Sequence, residues 1–155
     1  MFNGCGKLKE LDVTNWGLRS VEYMVGTFKS CTELTTLDVS HWILGNVKNI
    51  NGLFSSCSKL KILEVSNWDV SNLTDASFAF YNCSSLQSLN AVGWNIQNIT
   101  NLTHLFYGCA SLTTLNLQNW NSIKATNIAN TFRHCNNLTY LNVSNRKPNN
   151  IDDFY

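Results

Sequence analysis

A unit of 26 residues occurs six times along this 155-residue chain, and this repetition restricts the possible folds more than any other feature. Each unit contains a phenylalanine at a constant spacing, and a cysteine follows three residues later. The phenylalanines are Phe2, Phe28, Phe54, Phe80, Phe106 and Phe132, and the cysteines are Cys5, Cys31, Cys57, Cys83, Cys109 and Cys135. A fixed period of about 20 to 50 residues is typical of a stacked array, in which each unit buries its apolar side against its neighbours.

Each unit predicts one strand and one short helix. Leu63 and Val65 of the third unit lie two residues apart, so they share the buried face of an extended segment. Apolar residues then follow at 73, 76, 79, 80 and 83, the spacing of an amphipathic helix, with Asn72 or Thr74 as its N-cap and Asp75 in its first turn. Equivalent helix starts are expected at Ser20, Asn46 and Asn98. The sequence therefore predicts an α/β solenoid of the leucine-rich-repeat type, with a parallel sheet on its concave face.

The array is expected to form a single domain over residues 1–147, followed by a tail over 148–155. Arg146 replaces the tryptophan that closes the earlier units, and Pro148 ends the pattern because proline cannot donate to a sheet. Phe2 already occupies a core position, without the polar capping unit that usually shields the first repeat of a solenoid. This suggests that the chain is a piece of a longer array.

The balance of charge argues against two classes of partner. A formal net charge of +1 provides no field to attract nucleic acid or an anionic membrane. The sequence has no apolar run of about 18 residues, so no membrane insertion is expected. No Asp, Glu, Lys or Arg occurs between Asp75 and Lys124, where Asn, Ser and Thr predominate. Such a surface is suited to binding by shape and hydrogen bonds.

The cysteines and histidines do not form a catalytic pattern. All six cysteines occupy the same repeat position, which favours a buried column of free thiols, with disulfides between neighbouring units or metal ligation as alternatives. His41, His104 and His134 occupy three different repeat positions and form no common row. No nucleophile elbow or phosphate-binding loop is present. We therefore expect no enzyme activity, no cofactor and no metal site.

Outward-facing strand positions are the candidate binding residues, because solenoids bind extended partners on the concave face. Three of them, Asp12, Asp38 and Glu64, stack as carboxylates that are either solvated or share a cation such as Ca²⁺. The asparagines that follow in the same row could form a ladder of side-chain amides. The full set of candidates is Glu10, Asp12, Asp38, Glu64, Asn90, Asn116, Tyr140 and Asn142.

A tryptophan recurs near the end of five units and allows two interpretations. The favoured one is a buried spine, in which each indole N–H finds a backbone acceptor. The alternative is an exposed platform that binds glycans. The tryptophans are Trp16, Trp42, Trp68, Trp94 and Trp120.

The repeated phrase F-x-x-C-x-x-L-x-x-L-D-V-S-x-W, complete at residues 28–42, is followed in the third unit by D-V-S-N-L-T-D at Asp69–Asp75. Over residues 2–145 the chain resembles the BspA-like leucine-rich-repeat surface proteins. The resemblance implies a secreted or surface-displayed adhesion module that binds other proteins or the extracellular matrix. We therefore expect a non-catalytic binding module at the cell surface or outside the cell. The alternative is a structural segment of a longer fibre or a virion decoration, with possible end-to-end self-association.

Overall fold

The repeats stack in parallel and in register. The computed structural model describes residues 1–120 and 124–144, so the predicted tail and the substitution at Arg146 lie outside the described residues. Four strands form one sheet in chain order: β1 (Ile62–Leu63), β2 (Ser88–Asn90), β3 (Thr114–Asn116) and β4 (Tyr140–Asn142). A single parallel bridge between Thr36 and Ile62 continues the sheet toward the second repeat.

A second line of parallel bridges runs along the stack outside the sheet. It joins one residue of each repeat to the residue 26 positions later, through Tyr23, Asn49, Asp75, Asn101 and Asn127. Backbone hydrogen bonds thus hold each repeat to the next at two separate places. The spacing between repeats is therefore that of hydrogen-bonded strands, about 4.8 Å. The result is a solenoid-like stack with a parallel sheet.

The predicted helix in each repeat is wrong. Among the described residues the only helical element is a 3-10 turn at Leu18–Ser20. The regions expected to be helical are successive β-turns, which we call the turn segments: residues 24–31, 50–57, 76–83, 102–109 and 128–135. Helices packed side by side need about 8–10 Å between axes, which is twice the strand spacing that the bridges impose. The expected curvature, with the sheet on the concave face, depended on helices that take more room than strands, so it does not follow from this structure.

Successive backbone N–H groups in the turn segments alternate between an acceptor in the next repeat and an acceptor in their own repeat. The N–H groups of Phe78 and Phe80 donate to carbonyls of the next repeat, each at 3.0 Å. The N–H groups of Ala79 and Tyr81 donate to the carbonyls three residues earlier, at 3.2 and 3.1 Å. A helix would keep all these bonds within one segment. Here half of them join the repeats together.

The residues proposed as helix caps have other roles. The Asn72 side chain donates to the Gly45 carbonyl at 2.6 Å, and the Thr74 hydroxyl donates to the Lys48 carbonyl at 2.9 Å. Asp75 pairs across the second line of bridges. Asn46 and Asn98 repeat the bond made by Asn72, and Ser20 ends the 3-10 turn. The side chains of the three asparagines and of Thr74 thus connect one repeat to the previous one.

Columns of stacked aromatic rings fill the core. The rings of Phe28, Phe54, Phe80 and Phe106 lie 5.4–5.9 Å apart, and all four are fully buried. The tryptophans form a second column at 5.7–5.8 Å, and the four from Trp42 to Trp120 are 2–6% exposed. This confirms the buried spine and excludes the exposed indole platform. Each fully buried ring contributes about 1.5–3 kcal/mol of transfer free energy.

Most indole N–H groups donate to a carbonyl of the previous repeat, as expected for a spine. Trp68 donates to Val39 at 3.0 Å and Trp94 to Val65 at 2.8 Å, and Trp120 makes the equivalent bond to Ala91. The Trp42 indole nitrogen is buried without a partner among the described residues. The reason lies beside it, because the equivalent acceptor, the Val13 carbonyl, is hydrogen-bonded to the His41 ring at 3.0 Å.

The cysteines form a column of free thiols, which confirms that prediction over the disulfide alternative. The four thiols from Cys31 to Cys109 are fully buried, and five of the six donate to the carbonyl of the phenylalanine 29 residues earlier, at 3.0–3.2 Å. Burial raises the pKa of Cys57 to about 12 and that of Cys135 to about 11. The protonated thiol is therefore a structural donor.

Candidate binding surface on the sheet

One row of outward side chains runs across the sheet in exact register with the strands. Ile62, Ser88, Thr114 and Tyr140 are consecutive partners, so the two ends of this row lie about 14 Å apart at strand spacing. Ile62 is 55% exposed and Tyr140 is 56% exposed. The row therefore presents two apolar groups with two hydroxyl side chains between them.

A groove of about 330 Å³ lies on this part of the sheet, and we call it the sheet groove. Four of the eight candidate residues line it, namely Glu64, Asn90, Asn116 and Tyr140. Asn142 pairs with Asn116 next to the groove but does not line it. Glu10, Asp12 and Asp38 belong to the first two repeats and lie outside the lining. The structure therefore gathers half of the candidate set around one groove.

Several candidate residues also have a structural task in their own repeat. The side-chain oxygen of each accepts a hydrogen bond from the backbone N–H two residues later, at 2.9–3.2 Å, which closes an Asx turn after the strand. The residues are Asp12, Asp38, Asn90, Asn116 and Asn142. Among the described residues no hydrogen bond joins these amides from repeat to repeat, so turn closure replaces the expected amide ladder.

Hydrogen bonds in turns of this kind change the pKa values of the aspartates that accept them. Hydrogen bonds from the Thr14 and Ser40 hydroxyls lower the pKa values of Asp12 and Asp38, and Ser71 does the same for Asp69. The ionised form is the better acceptor, so each turn favours the charged carboxylate.

Because these turns favour the charged aspartates, they predict that stability depends on pH. Substitution of the aspartates by asparagine should remove this part of the pH dependence. A folded pKa below the ordinary value near 4 contributes stability above about pH 4, and this contribution is lost as the pH falls through the lower folded pKa. The triple variant Asp12→Asn, Asp38→Asn, Asp69→Asn keeps the acceptor oxygens, as Asn90 and Asn95 do naturally. Its urea midpoint should fall less than that of the wild type between pH 5 and pH 2.

The control for this comparison is the same pair of proteins at pH 7, where the variant should remain folded with the same secondary structure. Parallel curves for the two proteins from pH 5 to pH 2 would show that these turns do not contribute to the acid sensitivity.

In the part of the chain that the structure describes, no group of three or more His, Cys, Asp or Glu side chains is arranged to hold a metal ion. Over the same residues no helix is long and apolar enough to cross a membrane.

A second surface, missed by the sequence reasoning, lies on the turn segments of the last three repeats. Its rings pack within 4.9–6.1 Å of one another, and two histidines meet at Tyr107 although they share no repeat position. We call this the aromatic cluster: Phe78, Tyr81, His104, Tyr107 and His134. The available signal was that 26 residues separate Phe78 from His104 and Tyr81 from Tyr107.

The in-register units and the parallel sheet define this molecule as a repeat protein with a solenoid-like stack. The chain belongs to the family described as "Mycoplasma protein of unknown function, DUF285", which matches residues 1–92 and again residues 79–155. A comparison with curated proteins finds no match. A comparison with solved structures finds none either.

Proposed function

We propose that this chain is a BspA-like leucine-rich-repeat binding module, displayed at the cell surface or secreted, which recognises a protein or matrix partner through the sheet groove. The observation that carries the proposal is the groove itself, about 330 Å³ in volume and lined by Glu64, Asn90, Asn116 and Tyr140. The resemblance of residues 2–145 to BspA-like proteins supports the cellular location and the class of partner.

The composition of the groove and of the outward row, which begins beside it at Ile62, suits a protein partner. Exposed Tyr140 and Ile62 stand at opposite ends of the outward row, and large side chains of this kind supply most of the binding energy in protein interfaces. Ser88 and Thr114 between them offer hydroxyl groups that form hydrogen bonds. Glu64 adds one negative charge to the lining, which favours a partner with a basic side chain nearby.

The Tyr140→Ala variant tests the groove. We expect a loss of about 2 kcal/mol of binding free energy, which is roughly a 30-fold weaker Kd, because the variant removes an aromatic side chain that lines the groove. The measurement is surface plasmon resonance of the purified chain over immobilised fibronectin, laminin and collagen. The partner is then identified as the protein that shows the wild-type signal.

Tyr23→Ala is the matched control, because Tyr23 is 64% exposed but belongs to the second line of bridges. It should bind as the wild type does. The sheet groove would be rejected as the interface if both tyrosine variants lost the same amount of binding. It would also be rejected if neither Tyr140→Ala nor Ile62→Ala weakened binding. Antibody labelling of intact, unpermeabilised cells tests the proposed location separately.

A further inference from the structure

We propose that the aromatic cluster on the turn segments is a binding site for neutral carbohydrate, separate from the sheet groove. The first observation is backbone conformation. Phe78 and His104 have φ angles of 58° and 57°, in the left-handed region that side chains other than glycine rarely adopt. A bulky residue such as phenylalanine is a true outlier there.

The repeats themselves provide the comparison. The positions equivalent to Phe78 in the two preceding repeats are Gly26 and Gly52, with φ angles of 58° and 61°. Glycine adopts this conformation without steric cost. The turn imposes this conformation on each repeat, including Asn130 of the last one at 57°, and the fourth and fifth repeats place a bulky ring there instead of glycine or asparagine. Strain of this kind is characteristic of functional sites.

The rings are arranged as a platform with one open end. Phe78 stacks on His104 at 4.9 Å with an angle of 6° between the planes, and Tyr81 stacks on Tyr107 at 5.0 Å with an angle of 13°. The other face of Phe78 is turned toward the third repeat, where Gly52 has no side chain. Phe78 is 36% exposed. A ligand ring can therefore continue the column by stacking on Phe78 above Gly52.

Charge restricts what that ligand can be. From residue 76 to residue 123 the sequence contains no Asp, Glu, Lys or Arg. The cations along the turn segments are Lys29 in the second repeat and Arg133 in the last repeat, whose guanidinium donates to the Asn130 side chain at 3.3 Å. A nucleic acid needs several cations for its phosphates, so a nucleobase is a poor fit. The surface instead favours an uncharged ring.

Hydrogen bonding then favours a sugar over an aromatic side chain of a protein. The Nδ1 atom of His104 is buried without a partner among the described residues. His104 as a whole is only half-buried, and a neutral imidazole carries one donor and one acceptor nitrogen. A sugar hydroxyl can donate or accept a hydrogen bond, so it satisfies either tautomer. A sugar ring also presents C–H groups, which are attracted to the negative face of Phe78.

The test uses three neutral trisaccharides (maltotriose, cellotriose and triacetylchitotriose) with 3′-sialyllactose as an anionic comparison. Binding to the full chain is followed by isothermal titration calorimetry and saturation-transfer NMR. At least one neutral trisaccharide should bind, and the Phe78→Gly variant should bind it at least 10-fold more weakly. This substitution restores the residue found at Gly26 and Gly52, so the fold should be retained.

Controls separate this site from the sheet groove and from loss of structure. Tyr23→Ala and Tyr140→Ala should bind the sugar as the wild type does. If Phe78→Gly fails to fold, His104→Asn, which copies Asn130 of the next repeat, should show the same loss of binding. The proposal is overturned by no binding of any neutral trisaccharide, by equal binding to the folded variants, or by preference for sialyllactose. Binding of N-acetyltyrosine amide in place of the sugars would also overturn it, in favour of a protein partner.

Discussion

Replacing Phe80 by alanine is expected to lower the free energy of unfolding by about 3–5 kcal/mol. Phe80 is fully buried, and its ring lies 5.9 Å from Phe54 and 5.4 Å from Phe106. The truncation leaves a cavity in the middle of the phenylalanine column, where both neighbouring repeats lose a stacking partner. Urea unfolding followed by near-ultraviolet circular dichroism measures the loss.

The loss of unfolding free energy should depend on the position of the phenylalanine in the stack as much as on the residue type. Phe2→Ala is the matched control, because Phe2 is only half-buried and belongs to the first repeat. It should cost about 1 kcal/mol. In the Phe80→Ala protein the coupling between repeats is weakened, so a broader transition with a smaller urea dependence is also expected. Equal losses at the two positions would mean that stability does not depend on contacts between neighbouring repeats.

The second large effect is a difference in thiol reactivity along the cysteine column. In the folded protein, iodoacetamide should modify Cys5 quickly and the buried thiols very slowly. Cys5 is exposed, whereas burial raises the pKa of Cys57 to about 12 and that of Cys83 well above the ordinary value. At neutral pH a pKa near 12 leaves roughly a thousandth of the usual thiolate, the reactive form. Mass spectrometry of timed samples gives the rate at each position.

A denatured sample is the control for that experiment. In 6 M guanidinium chloride all six cysteines should react at similar rates, because the pKa differences arise from the folded state. Fast modification of Cys83 without denaturant would show that the stack opens locally, which would contradict a closed core.

The columns of the core were predictable because the sequence repeats them. Phe54, Cys57 and Leu63 keep fixed positions, and a residue that recurs every 26 positions in a stack must meet its own equivalents. The buried tryptophan spine followed from the same reasoning. Periodicity therefore predicted which side chains are inside and which side chains they touch.

The turn segments were mispredicted because apolar spacing does not distinguish a helix from successive turns. Leu73, Ala76, Ala79 and Phe80 are all buried, as an amphipathic helix would require. What excludes the helix is the second line of bridges, whose residues, such as Asp75, carry no apolar pattern. Hydrogen bonds between repeats therefore determine that these segments form turns. The helix propensity of each segment by itself gave no indication of those bonds.

The candidate surface was predicted in part. Alternation along the strands identified Glu64, Asn90, Asn116 and Tyr140, which line the sheet groove. It did not predict that the aspartates and asparagines of the second row would close turns. The aromatic cluster was missed because its rings lie outside the strands, at positions where earlier repeats have glycine, lysine or small polar residues.

The regular bonding between repeats has a consequence for how such genes change in length. Hydrogen-bond partners in neighbouring repeats recur at fixed separations, for example 26 residues for Thr74, 27 for Asn72 and 29 for Cys83. Deletion of residues 58–83 would join Cys57 to Ser84 and supply each remaining donor with an equivalent acceptor. Unequal recombination can therefore add or remove whole units without leaving an unpaired interface, and the number of binding positions can change in a single genetic event.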